Sequence, residues 1–140
     1  GGVAAAEIAL SRPDLFGNVL SQSGAFRASE PGTDEPNAMA QAYLAAPRQP
    51  IRFYLDAGLY DNVPAAHLPV HDLVLDETNL MGNRHLRDVL RAKGYDVTYR
   101  EVGGGHDWVH WRAMLADGLM TLLGTQISGA TDEMKRLVPR

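Results

Sequence analysis

Between Tyr95 and Val102, β-branched and aromatic residues alternate with polar ones (Val97, Thr98, Tyr99, Arg100, Glu101, Val102), and this period of two predicts a strand. Ile51 to Asp56 is a run of strand-forming composition, and Val19 to Ser23 predicts a shorter strand. Other stretches carry helical signals. Val3 to Leu10 is a small-residue helix stopped by Arg12-Pro13-Asp14, and Asn37 to Ala46 is a helix ended by Pro47. Thr78 is placed to cap a helix from Asn79 to Lys93. Its inward positions are Leu80, His85 or Leu86, Val89, Leu90 and Ala92; Arg84, Arg87, Asp88 and Arg91 face out, and Gly94 terminates it. Trp108, Trp111, Leu115, Leu119 and Leu122 recur at helical spacing and predict a last helix that fades at Gly124. Arg27 to Pro36 and Val63 to Asp76 are rich in breakers and read as surface loops.

The order helix, strand, helix, strand, helix, strand, helix argues for an α/β fold with a parallel sheet flanked by helices. Three strands are few for such a sheet, and its inner edge is expected to pair with strands from sequence outside this chain. Residues 1–124 read as the structured part and residues 125–140 as a polar tail. Leu137 to Arg140 match either a natural end or the remnant of a vector-encoded protease site.

Composition narrows the function classes. The net charge is −4, with 13 Lys and Arg scattered among 17 Asp and Glu, so no basic patch points to nucleic acid. No apolar run approaches the roughly 18 residues of a membrane span, and without cysteine the chain holds neither disulfides nor thiolate metal sites. The opening Gly1-Gly2-Val3 enters what reads as the middle of a helix, as expected of a fragment.

Chemistry concentrates at the carboxyl ends of the predicted strands, where open α/β sheets place reacting groups. Three such loops share one rim: Ser23-Gly24, Asp56 to Asp61, and Gly103-Gly104-Gly105-His106. An imidazole beside a carboxylate from the preceding crossover is the arrangement in which the acid holds one tautomer and the ring serves as general base. His106 read blandly is a polar loop residue before an Asp107 cap. His106 and His110 have metal-pair spacing, as do His67 and His71, but neither pair has the glutamate of H-E-x-x-H, so no metal is expected. Ser23 ends a strand without the flanking glycines of a nucleophile elbow, which leaves it, with Gly24 and Phe26, as cleft floor rather than nucleophile. Trp108 and Trp111 are placed to contact an aromatic acyl group or to plug the sheet edge.

Pro13-Asp-Leu-Phe16 followed by Ser21-Gln-Ser-Gly24, Asn83-Arg-His-Leu-Arg87 through Lys93-Gly-Tyr95, and Val102-Gly-Gly-Gly-His-Asp-Trp108 with Trp111 resemble the esterase family of α/β hydrolases. That family includes enterochelin esterases, feruloyl esterases, S-formylglutathione hydrolases and mycolyltransferases. The resemblance covers most of Gly1 to Leu123, and its last motif is most similar to the enterochelin-esterase branch. Gly1-Gly2-Val3-Ala4-Ala5 resembles the tail of a G-x-S-x-G-G-x-x-A elbow, cut just after the nucleophile. The resemblance implies the C-terminal part of an α/β-hydrolase fold and a serine esterase without cofactor, acting on a small-molecule ester through an acyl-enzyme. It implies His106 as the base and Asp61, in Gly58-Leu-Tyr-Asp61, as the acid, with Asp56 the alternative. Ser23, Gly24, Phe26 and Trp108 are expected at the substrate. The nucleophile and the oxyanion hole would lie upstream, in the missing N-terminal half of the domain. The competing expectation is a catalytically silent α/β module kept for binding or assembly.

Overall fold

A computed structural model describes residues 1–27, 36–61 and 78–136. The interiors of both predicted surface loops, with His67 and His71, and the terminal Leu137 to Arg140 lie outside the described residues. The elements follow the predicted order: α1 (Gly2–Ser11), β1 (Asn18–Gln22), α2 (Ala38–Ala45), β2 (Arg52–Gly58), α3 (Asn79–Ala92), β3 (Asp96–Val102) and α4 (Trp108–Arg136). The strands form a parallel sheet in the order β1-β2-β3, with Gln22 beside Asp56 and Asp56 beside Arg100.

Alternation along β1 and β2 divides the side chains between two faces. Val19, Phe53 and Leu55 join Ala6 and Ala9 of α1, Tyr43 of α2, and Leu86 and Leu90 of α3 in the main core. Tyr43, Phe53 and Tyr95 meet edge to face at centroid distances of 5.4 to 5.6 Å, a favourable aromatic geometry. The opposite face carries Leu20, Gln22, Tyr54 and Asp56, and α4 crosses it. Gly118 brings the α4 backbone against the sheet, where a Cβ would sit 2.7 Å from Leu20 Cδ1 and 3.0 Å from the Tyr54 ring.

The caps agree with the sequence. Thr78 Oγ1 accepts from Met81 N at 3.3 Å, and Gly94 leaves α3 at φ +77°, where a side chain would be strained. Asp107 Oδ1 accepts from the backbone N–H of Val109 and His110, which starts α4.

The face of α4 matches expectation at Leu122 and differs at other positions. The residues turned to the sheet are His110, Gly118 and Leu122, whereas Trp108, Leu115 and Leu119 are exposed. The close approach at Gly118 and the Tyr54 hydroxyl donating to Asp117 Oδ2 at 2.7 Å set the rotation of the helix, and apolar periodicity does not encode either. The helix also continues past Gly124 to Arg136, since one glycine costs a helix only about 1 kcal/mol and no proline follows until Pro139. On α3 the inward positions include Gly82 and Asn83 as well as Leu80, Leu86 and Leu90; His85 and Ala92 face out.

Among the described residues no helix is long and apolar enough to cross a membrane.

Candidate functional site

The glycine run after β3 is shaped by what it must approach. Gly104 O accepts from Tyr60 N at 3.0 Å, and a Cβ on Gly58 would collide with that same carbonyl. The β2 exit and the β3 exit are thereby locked together. Asp61 leaves the first and His106 tops the second.

His106 Nδ1 lies 3.1 Å from Asp61 Oδ2. The carboxylate is buried, while the His106 side chain is 44% exposed, so one end of the ring is held inside and the other reaches solvent. Asn79, at the first turn of α3, places its amide nitrogen 3.4 Å from Asp61 Oδ1 and 3.2 Å from His106 Nδ1. Arg27 Nε donates to Asn79 Oδ1 at 2.9 Å, which fixes the direction of the amide. A carboxylate only accepts, so Asp61 draws the Nδ1 proton of His106 and one amide proton of Asn79. The Nε2 lone pair of His106 is then left available as a base.

A cleft of about 620 Å³ opens beside the ring, lined by Gly1, Gly2, Gln22, Ser23, Gly24, His106, Trp108 and Trp111 among others. Trp111 meets His106 edge to face at 4.9 Å and Trp108 at 5.4 Å. Ser23 sits in the left-handed region at φ +48°, with its amide bonded to Asp56 O at 2.8 Å and its buried hydroxyl unpartnered. Strain of this kind in a non-glycine residue is characteristic of sites. Gly2 has no room for a side chain, because its Cβ would run into Ser21 Oγ.

Of the residues expected at a substrate, Ser23, Gly24 and Trp108 border the cleft. Phe26 does not: it is buried in the main core beneath Gly24, whose Cβ would overlap its ring. Asp56 is not beside His106 either. It lies on the α4 side of the sheet, where Gln22 Nε2 donates to its Oδ2 at 3.2 Å and its Oδ1 faces His110 Nε2 at 3.1 Å. Burial pushes the Asp56 carboxyl above its ordinary range, and the Gln22 amide and the His110 ring oppose that shift. His106 and His110 thus turn to different carboxylates, and among the described residues no group of three or more His, Asp or Glu is arranged to hold a metal ion.

Asn79, Arg27 and Gln22 have no signal of their own in the sequence, and His110 stands out there only by its spacing from His106. A capping threonine marked the start of α3, which leaves Asn79 on its first turn, but nothing in the pattern showed that this turn faces the His106 loop.

The family model described as "Putative esterase" matches residues 1–122. The chain is 27% identical over 124 residues to the iron(III) enterobactin esterase of Escherichia coli K12, covering 87% of this chain and 27% of that protein. It is 28% identical over 132 residues to the iron(III) salmochelin esterase of Escherichia coli O6:H1, covering 89% and 29%. Among solved structures, the enterobactin esterase of Shigella flexneri, crystallised in the presence of 2,3-dihydroxy-N-benzoyl-glycine, is similar with a TM-score of 0.69 and 26% identity, over 90% of this chain and 30% of that one. A ferulic acid esterase with a TM-score of 0.62 and 20% identity shares the fold. The chain spans less than a third of the length of the enterobactin and salmochelin esterases.

Proposed function

Because this chain belongs to the Putative esterase family and carries part of an α/β-hydrolase fold, we propose that it serves a serine ester hydrolase in which His106 is the general base and Asp61 its orienting acid. In this reading residues 1–124 are the C-terminal half of the catalytic domain, residues 125–140 are its tail, and the nucleophilic serine and the oxyanion donors precede Gly1.

The observation that carries the reading is the His106 ring itself. Its Nδ1 is held by a buried carboxylate at 3.1 Å, and the ring borders the same cleft as Gly1 and Gly2. A hydroxyl placed just before Gly1 would enter at that cleft. The serine oxygen attacks the ester carbonyl while His106 Nε2 takes its proton; the proton then passes to the departing alcohol as the C–O bond breaks. Water, deprotonated by the same nitrogen, releases the acid and restores the serine. Ser23, Gly24 and Trp108 would bound the ester. Similarity to enterobactin and salmochelin esterases favours a siderophore ester as the first substrate to try.

The test is a labelled organophosphate with the full-length protein. The expected result is one label on a serine shortly before Gly1, lost in His106→Ala, and no His106-dependent hydrolysis of a p-nitrophenyl ester by residues 1–140 alone. Failure of the full-length protein to label, or labelling indifferent to His106, overturns the reading in favour of a silent binding module.

A further inference from the structure

Four residues beyond the proposed base, His110 is buried against α4's side of the sheet, and the ester chemistry above makes no use of it. Its Nδ1 lies 3.0 Å from the carbonyl oxygen of Gly105, the residue immediately before His106. A carbonyl only accepts, so Nδ1 carries a proton. The other ring nitrogen, Nε2, faces Asp56 Oδ1 at 3.1 Å with both side chains wholly buried. A bare lone pair turned toward a carboxylate in such surroundings would be repelled, and among the described residues no other group hydrogen-bonds to these two atoms. A second proton on the pair removes the conflict.

We propose that His110 and Asp56 share a retained proton and act as a positioning pair for His106, gripping the Gly105 carbonyl so that the imidazole is presented at one angle to the cleft. This rests on the reading of His106 as the base.

The neighbouring groups fit that role. β1 contributes the uncharged Gln22, whose amide bridges Asp56 Oδ2 and the Trp111 carbonyl at 3.2 and 2.6 Å, tying strand to helix. β2 contributes Asp56, with Tyr54 a titratable neighbour on the same face, and β3 sets Arg100 in register beside Asp56, with its guanidinium 3.5 Å from Asp117. α4 contributes the Asp107 cap at its start, a second carboxylate near His110, which is already engaged by the backbone N–H of Val109 and His110. The glycine loop contributes only its backbone, and Gly104 lies so near that a Cβ would come within 2.9 Å of His110 Cβ. Sheet, helix and loop therefore converge on one imidazole, whose single outward bond goes to the peptide that carries His106.

Two substitutions separate this role from simple packing. His110→Asn keeps an N–H donor at the position of Nδ1, and His110→Phe keeps the ring without a donor; both remove the nitrogen that faces Asp56. In the full-length esterase, His110→Phe is expected to lower kcat roughly 10- to 100-fold with KM nearly unchanged, since small misplacement of a reacting group costs on that order. His110→Asn should recover most of the loss. Equal kcat values for the two variants overturn the proposal. In the full-length protein, nitrogen-15 correlation spectra should show a solvent-protected proton on His110 Nδ1 near neutral pH, and His110→Phe but not His110→Asn should speed amide exchange across residues 104–107. An unprotonated Nδ1 overturns the proposal whether or not the variants fold. Loss of hydrolysis in the unsubstituted full-length protein would count against the esterase reading alone, because the spectra judge the pair without it.

Discussion

His106 reaches Asp61 through Nδ1, at 3.1 Å, with the carboxylate buried and the far side of the ring in the cleft. Asp61→Asn replaces a pure acceptor by a group that can donate toward Nδ1, which favours the tautomer with Nε2 protonated and useless as a base. In the full-length protein kcat should fall between about 10²- and 10⁴-fold with KM little changed, the range general-base catalysis usually supplies. Asp56→Asn at the other candidate carboxylate should not reproduce that loss. Steady-state kinetics of the two variants decides which acid serves His106.

Asn79 joins Arg27 to Asp61, and its amide is buried. Asn79→Ala removes a donor from Asp61 and an acceptor from Arg27, so urea unfolding should show a loss of about 1–3 kcal/mol. Asn79→Asp should be worse for activity than Asn79→Ala, because it sets a second carboxylate beside the first and disturbs the charge on which His106 depends. If Asn79→Asp matches the unsubstituted protein in kcat, the amide does not hold Asp61.

The strands and the order of the elements were legible because they follow from period and punctuation. Alternation between Tyr95 and Val102, Pro47 after α2 and Gly94 after α3 each mark a boundary with a local cause. The approach of His106 to Asp61 was legible in outline, since successive parallel strands bring their carboxyl ends to one rim. The face of α4 was legible only in part, because a glycine and an aspartate set it through contacts with another element, and hydrophobic spacing pointed to Leu115 and Leu119 as well. Phe26 was misplaced for a related reason: its position two residues after Gly24 suggests the cleft, while the missing Cβ of Gly24 is what lets its ring fold beneath. The division of labour between Asp56 and Asp61 depends on strand faces. Asp56 is still on β2 with its side chain on the α4 side, and only beyond the strand can Asp61 turn to His106.

The raised Asp56 carboxyl makes stability depend on pH in a definite direction. Burial is the main cause, so Asp56 holds its proton in the folded chain above the ordinary value of 3.8. The stability this contributes is complete below 3.8 and is lost as pH rises through the folded value. Glu101 runs the other way: bidentate hydrogen bonds from Arg84 lower its carboxyl, giving stability that is present above 4.5 and lost as pH falls through its folded value. Asp56→Asn should therefore gain on the unsubstituted chain as pH is raised from about 4 toward 8, leaving the acid-side loss from Glu101 in place. Urea midpoints of both proteins across that range test it, and parallel curves would show that Asp56 does not titrate differently on folding.

Gly58 ends β2 where the glycine run passes over it, and a methyl group there would strike the backbone carbonyl of Gly104. Backbone cannot swing aside as a side chain can, so Gly58→Ala must move the loop that carries His106. Overpacking of this kind costs about 1–3 kcal/mol. Gly103→Ala, on the same loop but with nothing near its would-be Cβ, is the control and should cost much less. The two should also differ in function: Gly58→Ala should lower kcat in the full-length protein at temperatures where it remains folded, while Gly103→Ala keeps it. Thermal melts together with kcat below the transition read both effects, and a Gly58→Ala protein as active and as stable as Gly103→Ala would mean that the close passage of these two loops does not fix His106.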